Sequence, residues 1–406
     1  MMCYSCFLFI LLLFVSLRLT VSMELIVDSD LTNKNGNSFP SLDQALSALL
    51  SPSNLLDSEN TITLKSNCAG KNQYFPQSQN IHGKSSESGS LTIIYEKSPQ
   101  PMDSAVSCSQ LPTLILTNSS CLVVGNLRSF SVIGLNIQYI ENACNNAVTN
   151  TNTVAFSNIC LNSSEPSLDL AQYTLSYLKL TNVKILSMMN VFYIHTGSKS
   201  IWIDQTSEVI LQDITLLTPA SSTNNSFFPA FSLVKYSSTH TNLSINYLQI
   251  HCNRAAPTIS PIVWTEGIDQ IRISNMSISN CEFQALSAFD NQTYILISKT
   301  SMLTIQQIFL TNLTFNSISP QSIFKLSSVI KANLTDFQIN SFYSPHLREN
   351  ISHVVLFNDN DEIITNGQKP SIVFSGWNLF NCTTAFYKVL ISGIFQNYQN
   401  LGTHFH

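Results

Sequence analysis

An eight-residue pattern of hydrophobic and polar positions, apolar-x-apolar-x-x-apolar-x-apolar, occurs nine times along the chain. It starts at Phe130, Val154, Leu178, Val209, Leu243, Ile271, Ile308, Ala332 and Ile372. The second central residue is Tyr247 in one octet and a type that tolerates positive φ in the other eight: Gly134, Asn158, Asn182, Asp213, Asn275, Asn312, Asp336 and Gly376. Each octet therefore predicts two short strands joined by a two-residue corner.

The octets start between 24 and 40 residues apart, an interval that suits one coil of a solenoid with loops of varying length. Coils stacked about 4.8 Å apart would bury their apolar positions in one continuous core. A β-sandwich, the alternative, also has alternating strands, but it explains neither the repeated corner nor the interval. The pattern predicts an all-β fold, with a parallel β-helix over residues 61–390 and an incomplete last coil or truncated end over 391–406.

The segment before the octets, residues 23–60, predicts an N-terminal cap. Residues 24–28 have the composition of a strand, and residues 41–50 form an amphipathic helical pattern in which Ser41 and Gln44 fit a capping box. The apolar face of this helix consists of Leu42, Ala45, Leu46, Leu49 and Leu50. Two further β-type runs follow at residues 61–64 and 91–95.

This strand-then-helix order resembles the N-terminal cap of the pectin-lyase-like right-handed parallel β-helix superfamily. The residues that match the cap pattern F-x-S/T-I-x-x-A-I are Phe39, Ser41, Leu42, Ala45 and Leu46. The resemblance implies a right-handed β-helix. It also implies a carbohydrate-active enzyme as one hypothesis, because the superfamily includes polysaccharide lyases, polygalacturonases and pectin methylesterases.

The first residues predict secretion. Residues 7–15 form an apolar run of signal-peptide length, so residues 1–22 are predicted to be a signal peptide cleaved before Met23; an N-terminal strand is the alternative. Ten Asn-x-Ser/Thr sequons occur. Those predicted to carry glycans are Asn118, Asn162, Asn224, Asn242, Asn291 and Asn350, whereas Asn275 and Asn312 are corner residues whose side chains are expected to bond within the fold.

Eight cysteines remain after the predicted signal peptide, and an even number in an oxidising compartment predicts disulfides. Cys252 and Cys281 follow successive octets by nine and ten residues, so they should emerge at nearly the same corner of adjacent coils. A coil spacing of about 4.8 Å suits the Cα separation of a disulfide. The sequence predicts a Cys252–Cys281 bond unless the register differs by one residue.

Charged residues make up only 11% of the chain and the net charge is −5, which argues against nucleic acid as a partner. After the predicted signal peptide no apolar run reaches about 18 residues, so no membrane span is predicted within these residues. Glycans would supply the solubility that charges do not.

The outward positions of the nine octets contain no Asp, Glu or His. No catalytic, cofactor-binding or metal-binding residue is therefore predicted. This favours a non-catalytic secreted or cell-surface glycoprotein module that serves adhesion, forms a surface coat, or binds extracellular glycans or proteins. The alternative is a carbohydrate-active enzyme, a polysaccharide lyase or glycoside hydrolase. The octets cover two of three faces, so carboxylates converging on the third sheet, or a Lys or Arg beside them, would favour the enzyme.

Three smaller groups have both a chemical and a structural interpretation. They are Asp204, Glu208 and Asp213 near His195; an oxygen-rich run at residues 358–362 that suits Ca²⁺; and a basic strip of Lys179, Lys184 and Arg272 for an acidic glycan. In each group solvated side chains are the favoured interpretation, and Asp213 is already explained as a corner residue.

Overall fold

The computed structural model describes residues 22–50, 55–74, 78–97, 105–116, 121–139, 147–162, 176–194, 200–218, 230–234, 241–252, 262–283, 292–315, 321–343, 352–358, 371–380 and 391–392. Helices in these ranges are α1 (Leu42–Leu50), α2 (Ala105–Ser109) and a 3-10 turn (Ser66–Cys68). The strands are β1 (Met23–Val27), β2 (Ser38–Phe39), β3 (Leu55–Leu56), β4 (Glu59–Leu64), β5 (Asn72–Tyr74), β6 (Gln79–Gly83), β7 (Ser90–Tyr95), β8 (Thr113–Leu116), β9 (Leu122–Gly125), β10 (Ser129–Ile133), β11 (Asn136–Tyr139), β12 (Ala147–Thr149), β13 (Thr153–Asn162), β14 (Ser176–Thr181), β15 (Ile185–Ile194), β16 (Ser200–Asp204), β17 (Glu208–Thr218), β18 (Phe231–Val234), β19 (Asn242–Cys252), β20 (Val263–Glu266), β21 (Gln270–Ser279), β22 (Glu282–Phe283), β23 (Gln292–Phe315), β24 (Gln321–Tyr343), β25 (Ser352–Asn358), β26 (Ser371–Phe380) and β27 (Ile391–Ser392).

The strands form three parallel sheets that together make a right-handed parallel β-helix, as predicted. Sheet 1 contains β1, β4, β7, β10, the first halves of β13, β15, β17, β19, β21 and β26, and the middle of β23 and β24. Sheet 2 contains β5, β8, β11 and the segments that follow sheet 1 within the same long strands. Sheet 3 contains β3, β6, β9, β12, β14, β16, β18, β20, the first parts of β23 and β24, β25 and β27.

Seven of the nine octets pair with one another along sheet 1, and two lie elsewhere. The aligned residues in this sheet are Phe130, Val154, Leu186, Val209, Leu243, Ile271, Leu303, Ala332 and Ile372. Octets at Leu186 and Leu303 thus occupy the places that the sequence assigned to those at Leu178 and Ile308. The assignment was wrong because every coil has further corners, and the same apolar spacing fits any of them.

Positive φ angles mark these corners. At the corner between sheets 1 and 2 the residues are Gly134, Asn158, Asn190, Asp213, Tyr247, Asn275, Gln307, Asp336 and Gly376. Asn182 instead lies between sheets 3 and 1, and Asn312 lies at the end of sheet 2, although both have φ near 55° as well. The octets give Asn158, Asn182, Asn275 and Asn312 equivalent places, and all four have the positive φ of a corner residue, but they lie at three different corners of the coil.

Asparagine amides hydrogen-bond from coil to coil at all three corners. Asn190 Nδ2 donates to Asn158 Oδ1 at 2.6 Å, and Asn182 Nδ2 donates to Asn150 Oδ1 at 2.7 Å. At the end of sheet 2, Asn312 Nδ2 donates to the Oδ1 of Asn280 at 3.1 Å. These bonds satisfy amide groups that would otherwise lie unpaired beside the stacked backbones.

Helix α1 packs on the first coil through Leu42, Ala45, Leu46 and Leu49, all buried, whereas Leu50 is only partly buried. At its N-terminus, the Gln44 backbone N–H donates to Ser41 Oγ at 3.4 Å. Inside the coils, alternate strand residues fill the core: in sheet 1, Ile245 and Ile273 are both fully buried or nearly so. Within the described ranges, none of the helices is long and apolar enough to cross a membrane.

Candidate functional site: the outward face of sheet 3

The outward face of sheet 3 carries most of the chemistry among the described residues, in two rows that run along the solenoid axis. The first row is Lys179, Trp202, Ser232, Trp264, Leu296 and Lys325. The second row is Thr181, Asp204, Val234, Glu266, Ser298 and Ser327. We call these two rows the sheet 3 face.

Strand alternation explains why these side chains point outward. In β16, Ile201 and Ile203 are buried in the core at 0% and 2% exposure, so Trp202 and Asp204 must project to the other side. The same alternation in β20 buries Val263 and turns Trp264 outward. Parallel pairing in register then stacks equivalent positions of successive coils about 4.8 Å apart.

Trp202 and Trp264 lie close together although a strand separates them. Their ring centroids are 6.1 Å apart and their planes meet at 78°, an edge-to-face contact. Ser232 lies between them in the row and is only 1% exposed. Two large aromatic surfaces therefore flank a small hydroxyl.

Asp204 and Glu266 are two strands apart in the second row, with Val234 between them. Strand spacing places their Cα atoms about 9.6 Å apart. Burial raises the pKa of the Asp204 carboxyl above its ordinary value of 3.8, although Lys179 and the Gln205 backbone N–H act to lower it. The Glu266 carboxylate forms an ion pair with Lys299 at 3.1 Å.

Three polar atoms on neighbouring strands of this face are buried without a hydrogen-bond partner. They are Thr181 Oγ1 on β14, Asp204 Oδ1 on β16 and Ser232 Oγ on β18. Buried polar groups in folded proteins are nearly always hydrogen-bonded, because an unpaired one costs about 1–3 kcal/mol. These three atoms lie on adjacent strands, so unused hydrogen-bonding capacity is concentrated in this part of the sheet 3 face.

Lys325 follows Leu296 in the first row and is half-buried. The other lysines of the region have carboxylates close by: Lys179 acts electrostatically on Asp204, and Lys299 pairs with Glu266. Burial lowers the pKa of the Lys325 amine below its ordinary value. The described part of the chain supplies Lys325 with no hydrogen bond or ion pair.

The structure separates most of the groups that the sequence placed together. Glu208 is exposed at the start of a sheet 1 strand and Asp213 is a corner residue, so neither joins Asp204. Lys184 and Arg272 lie off the sheet 3 face, which disperses the basic strip; only Lys179 belongs to this face. His195 and residues 359–362 of the oxygen-rich run lie outside the described residues.

The sulfur atoms of Cys252 and Cys281 are joined in a disulfide, with a Cα–Cα distance of 4.8 Å between adjacent coils. A second disulfide joins Cys108 and Cys160. Cys68 is a buried free thiol, contrary to the expectation that the cysteines left after signal cleavage pair with one another. In the described ranges no group of three or more His, Cys, Asp or Glu could hold a metal ion.

Few of the predicted glycosylation sites fall where their side chains are described. Asn242 is exposed on a sheet 1 strand. Asn162 ends β13, and its side chain is not described. The other four, Asn118, Asn224, Asn291 and Asn350, lie outside the described residues. Asn275 and Asn312, the sequons at corners, both donate through Nδ2 to a neighbouring asparagine.

Sequence reasoning missed Trp202, Ser232, Trp264, Glu266 and Lys325. The available signal was the alternation in residues 201–204 and 263–266, each ending in a carboxylate after an outward tryptophan. The corner residues that follow these two strands are Gln205 and Gly267, and later coils have Lys299 and Ser328 there, so the asparagines of the earlier coils do not continue along this corner.

Comparison with known proteins gives limited results. No protein-family model matches the sequence, and no curated protein matches it. The chain is similar in structure to the GH136 lacto-N-biosidase from Eubacterium ramulus, with 10% sequence identity and a TM-score of 0.35 over 91% of this chain and 69% of that chain.

Proposed function

We propose that the chain is a secreted or cell-surface glycoprotein module that binds carbohydrate on the sheet 3 face. The observation that carries the proposal is the Trp202–Trp264 pair beside buried polar atoms that have no partner. Sugar rings present apolar C–H faces and a rim of hydroxyls, so a binding site for them needs aromatic surface and hydrogen-bonding groups together.

The polar groups of this face can both donate hydrogen bonds to sugar hydroxyls and accept hydrogen bonds from them. Asp204 Oδ1 can accept a hydrogen bond, and the Ser232 and Thr181 hydroxyls can donate or accept. Their burial strengthens each bond once it forms, since little water competes. The rows run along the solenoid axis, and this supports an elongated oligosaccharide over a single sugar.

The test is binding of the secreted chain to a panel of immobilised oligosaccharides. Trp202→Ala and Trp264→Ala are expected to weaken binding about tenfold or more, because each removes an aromatic surface worth roughly 1.5–3 kcal/mol when buried. Phe309→Ala is the matched control: it removes an aromatic ring that is 42% exposed on sheet 2. Equal losses in all three variants, or no carbohydrate binding by the parent chain, would contradict the proposal.

Glycoside hydrolysis is the second candidate function, favoured by the pair of carboxylates Asp204 and Glu266. Inverting glycosidases hold two carboxyl groups about 6.5–9.5 Å apart, and a Cα spacing of about 9.6 Å is compatible with that range. The raised pKa of Asp204 suits a general acid, and the Lys299 ion pair suits Glu266 as the ionised base.

Product release separates the two candidates. The parent chain and Glu266→Gln would be incubated with each oligosaccharide that binds, and new reducing ends would be measured by chromatography. An enzyme would release product in the parent and at least a hundredfold less in Glu266→Gln, while the binding affinity stays similar. Absence of new reducing ends from every bound oligosaccharide leaves binding alone as the function.

Secretion and glycosylation are part of the same proposal. We expect glycans at Asn118, Asn162, Asn224, Asn242, Asn291 and Asn350. Occupancy should be lower at Asn275 and Asn312, because their amide nitrogens hydrogen-bond within the fold. Glycopeptide mass spectrometry of the chain secreted from eukaryotic cells measures this order, and higher occupancy at the two corner sites would contradict it.

A further inference from the structure

Among the described residues, Lys325 has no hydrogen bond, no ion pair and no opposite charge acting on it, unlike Lys179 beside Asp204 and Glu266 paired with Lys299. Its neighbours in the first row are Leu296 on one side and Leu356 on the other. The second-row positions beside it are Ser298 and Ser327, both uncharged. The Glu266 carboxylate is one strand further away and is already held by Lys299.

A half-buried ammonium without a counter-charge is costly, because it has lost part of its hydration and gained nothing in return. The lowered pKa of Lys325 has the same cause. A lysine can reduce this cost by laying its alkyl stem over apolar surface and reaching for water. An anion that binds to Nζ would remove the cost and would also form a charge-assisted hydrogen bond.

The position of Lys325 relates it to the tryptophans. Lys325 follows Trp264 by two strands in the same row, about 9.6 Å along the solenoid axis. A ligand chain stacked on Trp264 and continuing along the axis would therefore pass over Lys325. At the other end of the row, Lys179 acts on Asp204, which leaves Lys325 as the free cation of the described sheet 3 face.

We propose that Lys325 is an anion subsite and that the carbohydrate bound on the sheet 3 face carries a carboxylate or sulfate group at this point. This inference rests on the proposed function and deepens it by naming the class of ligand, an acidic oligosaccharide. Neutral oligosaccharides would contact the tryptophans and the unpartnered hydroxyls but would leave Lys325 uncompensated.

The experiment measures dissociation constants for three probes by calorimetry at low and moderate salt. The probes are tetragalacturonate, which carries carboxylates; a carrageenan tetrasaccharide, which carries sulfates without uronate; and cellotetraose, which is neutral. The parent chain should bind at least one acidic probe about tenfold more tightly than cellotetraose, with the difference decreasing as salt rises. The acidic probe that shows this preference identifies the anionic group.

Substitutions in one strand then assign the preference to a residue. Lys325→Met should abolish the preference for the acidic probe while leaving the cellotetraose affinity within about twofold, and Lys325→Arg should retain the preference. Lys331→Met is the control, because Lys331 belongs to the same strand but is exposed on sheet 1.

Two outcomes would overturn the subsite while leaving the proposed function intact. In the first, the parent chain binds cellotetraose as tightly as the acidic probes, and Trp264→Ala loses this binding. The other is an acidic preference that survives in Lys325→Met. Failure of the parent chain to bind any carbohydrate would overturn both proposals together, so the two failures are distinguishable.

Discussion

Sheets 1 and 3 share one backbone architecture, yet their outward faces differ in chemistry. From β10 to β26, the central outward row of sheet 1 consists of Ser131, Ala155, Ser187, Ile210, Ser244, Arg272, Thr304, Asn333 and Val373. It contains one charge and no large aromatic residue. The sheet 3 face has two tryptophans, two carboxylates and three buried polar atoms without partners.

A cluster of polar groups at the corner between sheets 1 and 2 is internally hydrogen-bonded. Asn246 Oδ1 accepts hydrogen bonds from both Ser274 Oγ and Asn275 Nδ2, at 3.0 and 2.8 Å. On sheet 3, Asp204 Oδ1 and Lys325 Nζ have no such partners among the residues that the structure describes. Sheet 1 is thus arranged for stability, whereas sheet 3 retains groups that cost stability, as binding sites commonly do. Substitutions in sheet 1 should therefore lower the stability and leave carbohydrate affinity unchanged, whereas removal of an unpartnered group on sheet 3 should raise the stability and weaken carbohydrate binding.

The largest effect is expected in the core behind sheet 1. Ile245 is fully buried and pairs in register with Leu211 and Ile273, so Ile245→Ala leaves a cavity between three coils. We expect a loss of about 2–5 kcal/mol in the free energy of unfolding, measured with guanidinium chloride. Carbohydrate affinity of the folded fraction should stay unchanged. A similar loss of affinity would mean that the two sheets are not separable.

The disulfide at the end of sheet 2 should have the next largest effect. The Cys252–Cys281 bond spans 29 residues, so its removal releases loop-closure entropy to the unfolded chain. The chain-entropy model gives a cost of about 3 kcal/mol for the double variant Cys252→Ser with Cys281→Ser. Either single serine variant should be destabilised by a similar amount, since each breaks the same bond. Unchanged stability in the double variant would show that the bond is absent from the protein in solution.

A smaller effect is expected at the corner between sheets 1 and 2. Asn190 has φ of 55° and donates to Asn158 Oδ1. Asn190→Ala should cost about 2 kcal/mol, since it adds left-handed strain to the lost hydrogen bond. Asn190→Gly removes the bond without the strain and should cost about 1 kcal/mol. If the two variants are equally stable by thermal unfolding, backbone strain is not what selects asparagine here.

The octets were sufficient to predict the β-helix, because only a stacked coil explains a repeated αL corner between alternating strands. They were not sufficient to assign registers. Leu178 and Leu186 begin octets of the same form, and only strand pairing shows that Leu186 belongs to sheet 1. Spacing describes a corner and its flanking strands, and a coil with three corners offers three equivalent places for it.

The sheet 3 face could be predicted only in part. Asp204 was named from the sequence, but with Glu208 and Asp213, which are near it along the chain and lie on other parts of the coil. Its neighbours in space, Ser232 and Glu266, come from the next two coils. Strands of four or five residues with variable corners carry too little pattern to fix that pairing.

Substitution of Asp204 should have the smallest effect on stability. It should stabilise the folded protein, whereas the sheet 1 variants destabilise it. Because burial raises the pKa of Asp204 in the folded protein above its ordinary value, ionisation costs the folded state stability. The native protein avoids this cost below the ordinary pKa of 3.8 and incurs it fully once the pH has risen past the folded-state pKa.

Asp204→Asn removes this titration. The variant should therefore gain stability relative to the parent as the pH rises from about 3 to 7, by no more than roughly 1 kcal/mol given that Asp204 is partly exposed to solvent. At the same time it should bind carbohydrate less well, since the Oδ1 acceptor is removed or altered. Thermal unfolding across this pH range measures the first effect, and Glu208→Gln, an exposed carboxylate on sheet 1, is the control. The opposite result is a stability difference between Asp204→Asn and the parent that is the same at every pH. That result would show that the folded protein does not raise the pKa of Asp204, and this difference between sheets 3 and 1 would be lost.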